Sequence, residues 1–323
     1  MKTNLLKSKL SYLLIFLAGT AVAISCKKNN NSNTLPEEET TELTKTELSA
    51  IAKAGFSPFN VIKKDGGYLV EGDIFLDAKN IANQQAIVSD LRNNKTSTEQ
   101  YRTTNIVSVN TSRELKIKVD AGASQTVFSN ATTEAIKRYN DLKLKLTFRL
   151  LGAASTETAD IVINGADLGT ASNGGTILGQ SAGFPSGGNP ASPIKLSNVV
   201  YNANYNNNNL LATVIAHEIG HAIGFRHTDY MNRAYSCGAS FSAATVKQYK
   251  KLYPTRNLEN EEDLSFIISD MNGTANDSPG AILIPGTPSN PDPKSWMLAC
   301  SDGTNRPFTT YDLVAIKGLY PVK

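Results

Sequence analysis

Past its first 25 residues this 323-residue chain lacks a charge excess, a long apolar run and any internal repeat. Lys and Arg number 32 against 29 Asp and Glu, and the excess is Lys2, Lys7 and Lys9, so from Cys26 onward the charges balance. A neutral chain offers no basic footprint for nucleic acid and no patch for anionic lipid. With no later stretch apolar for some 20 residues, a spanning helix is not expected. Cysteine is scarce, with Cys26, Cys237 and Cys300 as the full set. Histidine is as scarce, and all three fall in one window of eleven residues.

That window reads His217-Glu218-Ile219-Gly220-His221-Ala222-Ile223-Gly224-Phe225-Arg226-His227. On a helix, residues four apart share a face, so His217 and His221 can present two imidazoles to one zinc ion. Glu218 lies beside them, placed to take a proton from a metal-activated water rather than to bind the metal. Gly224 can adopt the left-handed conformation that ends a helix, and the reversed chain returns His227 as a third ligand. Three protein ligands with a vacant fourth position describe a catalytic zinc site, since structural sites are closed by four.

The start of the chain has the pattern of an export signal. Three lysines precede a nearly unbroken apolar run, Tyr12 to Ile24, too short for a comfortable span. It ends at Ala23-Ile24-Ser25-Cys26, similar to a bacterial lipobox, so residues 1–25 are expected to be removed and Cys26 to carry lipid. The membrane would then be reached through lipid alone, in the cell envelope, on a side the pattern does not name. In an exported chain the remaining Cys237 and Cys300 are candidates for a disulfide, with two buried thiols as the alternative.

Residues 26–46 are rich in Asn, Thr and Glu and are expected to form a flexible tether. Residues 47–110 hold a helix-like stretch at Leu48–Ala54, a strand-like run from Gly67 to Leu76 and a polar helix-like run at Ala78–Arg92. They are too few for a secure core of their own and fit a pro-segment or a cap. From residue 111 to 323 the expected order is a strand at Leu115–Val119, a helix at Val127–Leu142, and strands at Leu142–Leu150 and Asp160–Asn164. A strand at Ile194–Val200, the zinc helix Leu210–Ile223 and a last helix Thr309–Leu319 follow. This predicts one α+β domain and a monomer.

The motif with Gly224 and His227 in place resembles the metzincin zinc proteases. His217 to Asp229, HEIGHAIGFRHTD, resembles the bacterial dual-action HEIGH metallopeptidases. Tyr68–Ile74, Ala135–Asn140 and Tyr311–Ile316 fit that family too. The resemblance implies a metzincin-like zincin: a twisted, mostly parallel sheet over a zinc helix, and a C-terminal subdomain with a methionine turn under the metal. It implies one catalytic Zn2+ and hydrolysis of protein or peptide substrates. Met297 in Ser295-Trp296-Met297 is the candidate for the turn, with Met231 too close to His227. Some metzincins carry a tyrosine two residues after the methionine; here that position is Ala299, leaving Tyr230 or Tyr235 as substitutes.

Other patterns are weaker. Asp229 is a candidate to hydrogen-bond the site backbone or orient a ligand. Asp270–Asp277 resembles a Ca2+ loop but lacks the closing acid, which makes a solvated turn the plainer reading. Asp73 or Glu71 is a candidate to reach the zinc and silence a precursor. An extended substrate is expected to pair with an edge strand at Ile194–Leu196 or Ile161–Ile163. The rival functions are a surface binding protein that keeps the metal fold, and a zinc hydrolase of a non-peptide bond.

Overall fold

The computed structural model describes residues 42–93, 101–103, 105–171, 174–230, 233–238, 241–272, 281–288 and 290–323. The expected signal, Cys26, most of the expected tether, Met231 and residues 273–277 of the calcium-like stretch lie outside the described residues.

The described chain opens with an arm. Helix α1 (Lys45–Lys53) starts at a reciprocal capping box: Glu47 N donates to Thr44 Oγ1 at 3.2 Å, and Thr44 N donates to the Glu47 carboxylate at 2.7 Å. Strands β1 (Ile62–Lys64), β2 (Gly67–Val70) and β3 (Ile74–Leu76) form an antiparallel meander. The single strand expected from Gly67 to Leu76 is therefore broken. Glu71 (φ 53°) and Gly72 (φ 98°) both take left-handed backbone, which turns the chain and stops the pairing. Helix α2 (Ala78–Asn93) and the short β4 (Tyr101–Arg102) follow.

The next elements are β5 (Arg113–Asp120), α3 (Gln125–Asn140), β6 (Leu146–Leu150), β7 (Ile161–Ala166), β8 (Gly179–Ser181) and β9 (Ile194–Ser197). In β5, Leu115, Ile117 and Val119 are buried between more exposed neighbours, the alternation of a half-buried strand. Helix α3 buries Phe128, Ala131, Ala135, Ile136 and Tyr139 along one stripe. Helix α4 (Asn208–Ile223) is capped by Asn207, whose side chain accepts from Leu210 N at 3.2 Å. Every residue from Leu211 to Ile223 is buried, so α4 runs through the interior.

One eight-stranded sheet has the order β1-β2-β3-β8-β9-β7-β5-β6. The pairs β3/β8, β9/β7, β7/β5 and β5/β6 are parallel and the rest antiparallel. The sheet is mixed and mostly parallel, with helices packed on it: an α+β fold. Ile161–Ile163 and Ile194–Leu196 lie in interior strands, so neither is the expected edge. The strand between the parallel block and the arm is β8, which hydrophobic pattern did not reveal because Gly179-Gln180-Ser181 has no apolar side chain.

The chain continues through α5 (Ala234–Cys237), α6 (Ala243–Leu252), α7 (Glu261–Asn272), β10 (Ile282–Leu283), which pairs with β4, and α8 (Thr310–Leu319). Helices α6 and α7 have no counterpart in the sequence reading. They find their apolar partner in the arm: Leu43, Leu48, Ala52 and Phe59 pack with Tyr249, Tyr253, Leu258, Ile267 and Met271. Asp270 belongs to α7, and its Oδ2 accepts from Tyr253 Oη and pairs with Lys45 Nζ, both at 2.6 Å. Among the described residues no helix is long and apolar enough to cross a membrane.

Candidate metal centre and cleft

His217 and His221 stand on α4 with 8 % and 0 % exposure, deep enough that their tautomers are set by protein partners. His217 Nδ1 lies 2.7 Å from Trp296 O, and His221 Nδ1 lies 2.8 Å from Phe225 O. A carbonyl only accepts, so each Nδ1 carries the proton and each Nε2 is left as a lone pair. At Gly224 (φ 118°) the helix ends in left-handed backbone, and a Cβ there would meet Asn105 O at 3.0 Å. The reversal brings His227 Nε2 to 3.2 Å from His221 Nε2, which itself lies 3.1 Å from His217 Nε2. Lone pairs aimed at each other across such gaps repel unless a cation lies between them. The spacing fits one: zinc with bonds of about 2.0–2.1 Å has tetrahedral edges of roughly 3.3 Å.

A fourth donor completes the set. Asp73 Oδ2 lies 3.2 Å from His217 Nε2 and 3.1 Å from His227 Nε2. Among the described residues Asp73, His217, His221 and His227 form the one cluster suited to hold a metal. The fourth position, vacant in an open catalytic site, is faced here by Asp73, one of the two arm acids that were candidates to reach the zinc; Glu71 is not in the cluster. Burial opposes its charge, but positive charge in the site, that of His227 first, holds the Asp73 carboxyl well below the usual range. Glu71 is fully buried beside it, paired with the Arg226 guanidinium, with Oε2 3.5 Å from His227 Nδ1. Arg226 also donates to Gly55 O at 2.7 Å and lies over the Phe56 ring, so three of its partners belong to the arm.

Glu218 points the other way. It is buried, and Oε2 has no hydrogen-bond partner. Burial and then the nearby Asp73 charge push its carboxyl well above the usual range. The two carboxyls at this site are thus driven apart, Asp73 down and Glu218 up. Room for Glu218 comes from Gly179 on β8, where a Cβ would lie 2.3 Å from Glu218 Oε1. That glycine carried no signal in the sequence, since its neighbour is 39 residues away.

Trp296 and Met297 pass beneath α4 and both are buried. A Cβ at Gly220 would stand 2.6 Å from Met297 Sδ and 3.2 Å from Trp296 Nε1, which explains the glycine between the two helical histidines. The turn is held by Asp312, which accepts from Ser295 Oγ at 2.7 Å and Trp296 N at 3.2 Å. Asp229 accepts from Ala299 N at 3.0 Å and Ser236 Oγ at 2.6 Å, so it ties the turn to α5. Cys237 and Cys300 are disulfide-bonded across the same junction, 63 residues apart in sequence.

A cavity of about 290 Å³ opens at the metal site. Its lining includes Asp73, Gly179, Thr213, His217, Glu218, Arg233, Trp296, Ala299, Cys300 and Arg306. Neither tyrosine suggested for catalysis lines it. Tyr230 packs edge-on to Tyr101, with centroids 4.1 Å apart, and Tyr235 is exposed.

The sequence profile of the dual-action HEIGH metallo-peptidases matches residues 70–248, which include β3, α4 and all four metal-site residues. Among solved structures, myroilysin is similar at 15 % identity with a TM-score of 0.38, covering 69 % of this chain and 99 % of that one. High choriolytic enzyme 1, a hatching enzyme zinc-protease from medaka fish (Oryzias latipes), is similar at 14 % identity with a TM-score of 0.33, covering 68 % and 94 %. No curated protein sequence matches the chain.

Proposed function

The chain belongs to the dual-action HEIGH metallo-peptidase family and is a zinc metallopeptidase; from that premise we propose an exported, lipid-anchored endopeptidase whose arm, residues 42–93, keeps it latent. The observation that carries the reading is Glu218, a buried, unpartnered carboxyl next to the three-histidine site and facing the cavity. A binding protein needs the histidines but has no use for such a base.

His217, His221 and His227 would hold the zinc, and Asp73 would close its fourth position. Zinc there supplies the Lewis acidity that activates water and polarises a scissile carbonyl. Glu218 takes the proton of the attacking water and passes it to the leaving amine, and its raised pKa suits both steps. Met297 and Trp296 form the floor: Trp296 O orients His217, and Gly220 lets the floor approach. Asp229 and the Cys237–Cys300 bond hold that floor in place. The bond also supports export, since disulfides persist in oxidising compartments. The signal-like start and the lipobox-like Cys26 supply the anchor in this reading.

The arm occupies the cleft. Ile74 pairs with Ser181 of β8, and Ser181 N donates to Asp73 O at 2.9 Å, so main chain lies where an extended substrate would add a strand. A second reading is favoured by the same Asp73: a four-ligand site closed for structure alone. The two separate on the zinc-loaded full chain, compared with Asp73→Ala and with Asp73→Ala/Glu218→Gln, on an unbiased peptide mixture. The proposal expects cleavage to rise in the first variant and vanish in the second. Loss of zinc from Asp73→Ala without any cleavage would establish the structural site instead.

A further inference from the structure

The arm's path shows what the cleft asks of a substrate. Between the two arm carboxylates stands Gly72, and the face where its side chain would be is taken by Arg233. A Cβ on Gly72 would lie 2.8 Å from Arg233 Nη2 and 3.7 Å from its Cζ. Arg233 lines the cavity at the metal site, yet among the described residues no carboxylate comes within ion-pair distance of it. Its Nε is shielded from water and has no acceptor. Its charge acts on Glu71, which is committed to Arg226.

A second guanidinium lines the cavity. Arg306 also lines it, 6 % exposed, with Nη1 on Cys300 O at 3.0 Å, Nη2 3.2 Å from Asp302, and Nε without a partner. The cavity's acids are Asp73, which belongs to the arm, and Glu218, which stands next to the metal-site residue His217. Once the arm is displaced, Arg306 keeps Asp302, whereas Arg233 faces the cleft with no carboxylate in ion-pair distance among the described residues.

We propose that Arg233 is a specificity residue that pairs with an acidic side chain on the substrate residue replacing Gly72, so that the enzyme cuts beside aspartate or glutamate. The inference rests on the peptidase reading above and on an extended substrate carrying a side chain past Arg233, where the arm, in left-handed backbone at Gly72 (φ 98°), carries none. A glycine there gives the arginine no carboxylate, any side chain makes its flexible end shift, a neutral one offers no charge in return, and a lysine is repelled. A carboxylate meets a planar fork of donors in a partly desolvated wall, where such pairs are strongest.

The test uses the full chain with Asp73→Ala, zinc-loaded, on peptide pairs that differ only in Asp against Asn, or Glu against Gln, around the cut. The acidic member should be cleaved with a kcat/KM roughly 10- to 100-fold higher, the range of one charged hydrogen-bonded pair. Adding Arg233→Gln should reduce that ratio to within about twofold while amide peptides are still cut. Arg233→Glu should turn the preference toward lysine. Equal cleavage of acid and amide, or an acidic preference that survives Arg233→Gln, overturns the proposal. Failure to cut any peptide, acid or amide, defeats the peptidase reading itself, which is a different result.

Discussion

The catalytic core and the arm are held by different forces. The largest hydrophobic cluster draws all its buried residues from Val107 onward, joining β5, β6, β7, β9, α3, α4 and α8, and takes none from the arm. The arm's own cluster borrows Phe184, its second packs on α6 and α7, and Leu69 joins Leu168 and Ile177 in a small third. Where arm and core meet at the site, the contacts are polar: Asp73 with the imidazoles, and Glu71 with Arg226. The arm thus contributes no buried residue to the central core, yet its Asp73 stands at the metal site. Hydrophobic burial in one large cluster holds the core, whereas the arm is placed by three smaller apolar clusters and, at the site itself, by charge complementarity.

The strongest test of that division lies in the core. Glu218→Gln should lower peptide hydrolysis by about 10²- to 10⁴-fold, the usual worth of a positioned base, with zinc content unchanged by metal analysis. Normal turnover in that variant would remove Glu218 from the chemistry.

In the arm the sign reverses. Asp73→Ala should raise activity between about 10- and 1000-fold, the reciprocal of an open state populated at roughly 0.1–10 %. Cobalt substituted for zinc gives a second readout, because losing a carboxylate ligand changes the visible spectrum. Identical spectra for parent and variant would place Asp73 off the metal.

Gly220→Ala should cost about 1–3 kcal/mol of core stability as its Cβ meets Met297 and Trp296, seen as a lower Tm in full-length protein. An unchanged Tm would mean that the methionine floor is not pressed against α4.

The smallest effect belongs to the arm's far end. Burial works against the Glu47 carboxylate, but Lys63, Thr44 and Tyr68 bring its pKa to about 2 from a reference of 4.5. A folded pKa below the unfolded one stabilises fully above about pH 4.5 and fades as pH falls toward 2. Amide exchange in α1 should quicken over that window, and Glu47→Gln should lose this component of the pH dependence.

Much of the centre was legible in the linear sequence. The spacing of His217, Glu218 and His221, the turn at Gly224 and the return of His227 are local geometry, as is the buried alternation of Leu115, Ile117 and Val119. Helix α4 was legible for the same reason. Elements whose partners are distant were not: β8 has no apolar side chain, and α6 and α7 bury their faces against an arm some 200 residues away. The break at Glu71-Gly72 was missed because a ten-residue apolar pattern reads as one strand until a turn is seen. The expected edge strands proved interior because pairing order is not written in hydrophobic periodicity.

The sequence by itself determined which residues can hold a metal and which can carry a proton, because a helix repeats every 3.6 residues and a glycine can reverse it. Only the tertiary structure decided that Asp73 rather than Glu71 faces the three histidines, that Gly179 makes room for Glu218, and that Arg233 faces Gly72. Those contacts join residues 39 to 161 positions apart, and only the packing of arm, sheet and helix brings them together.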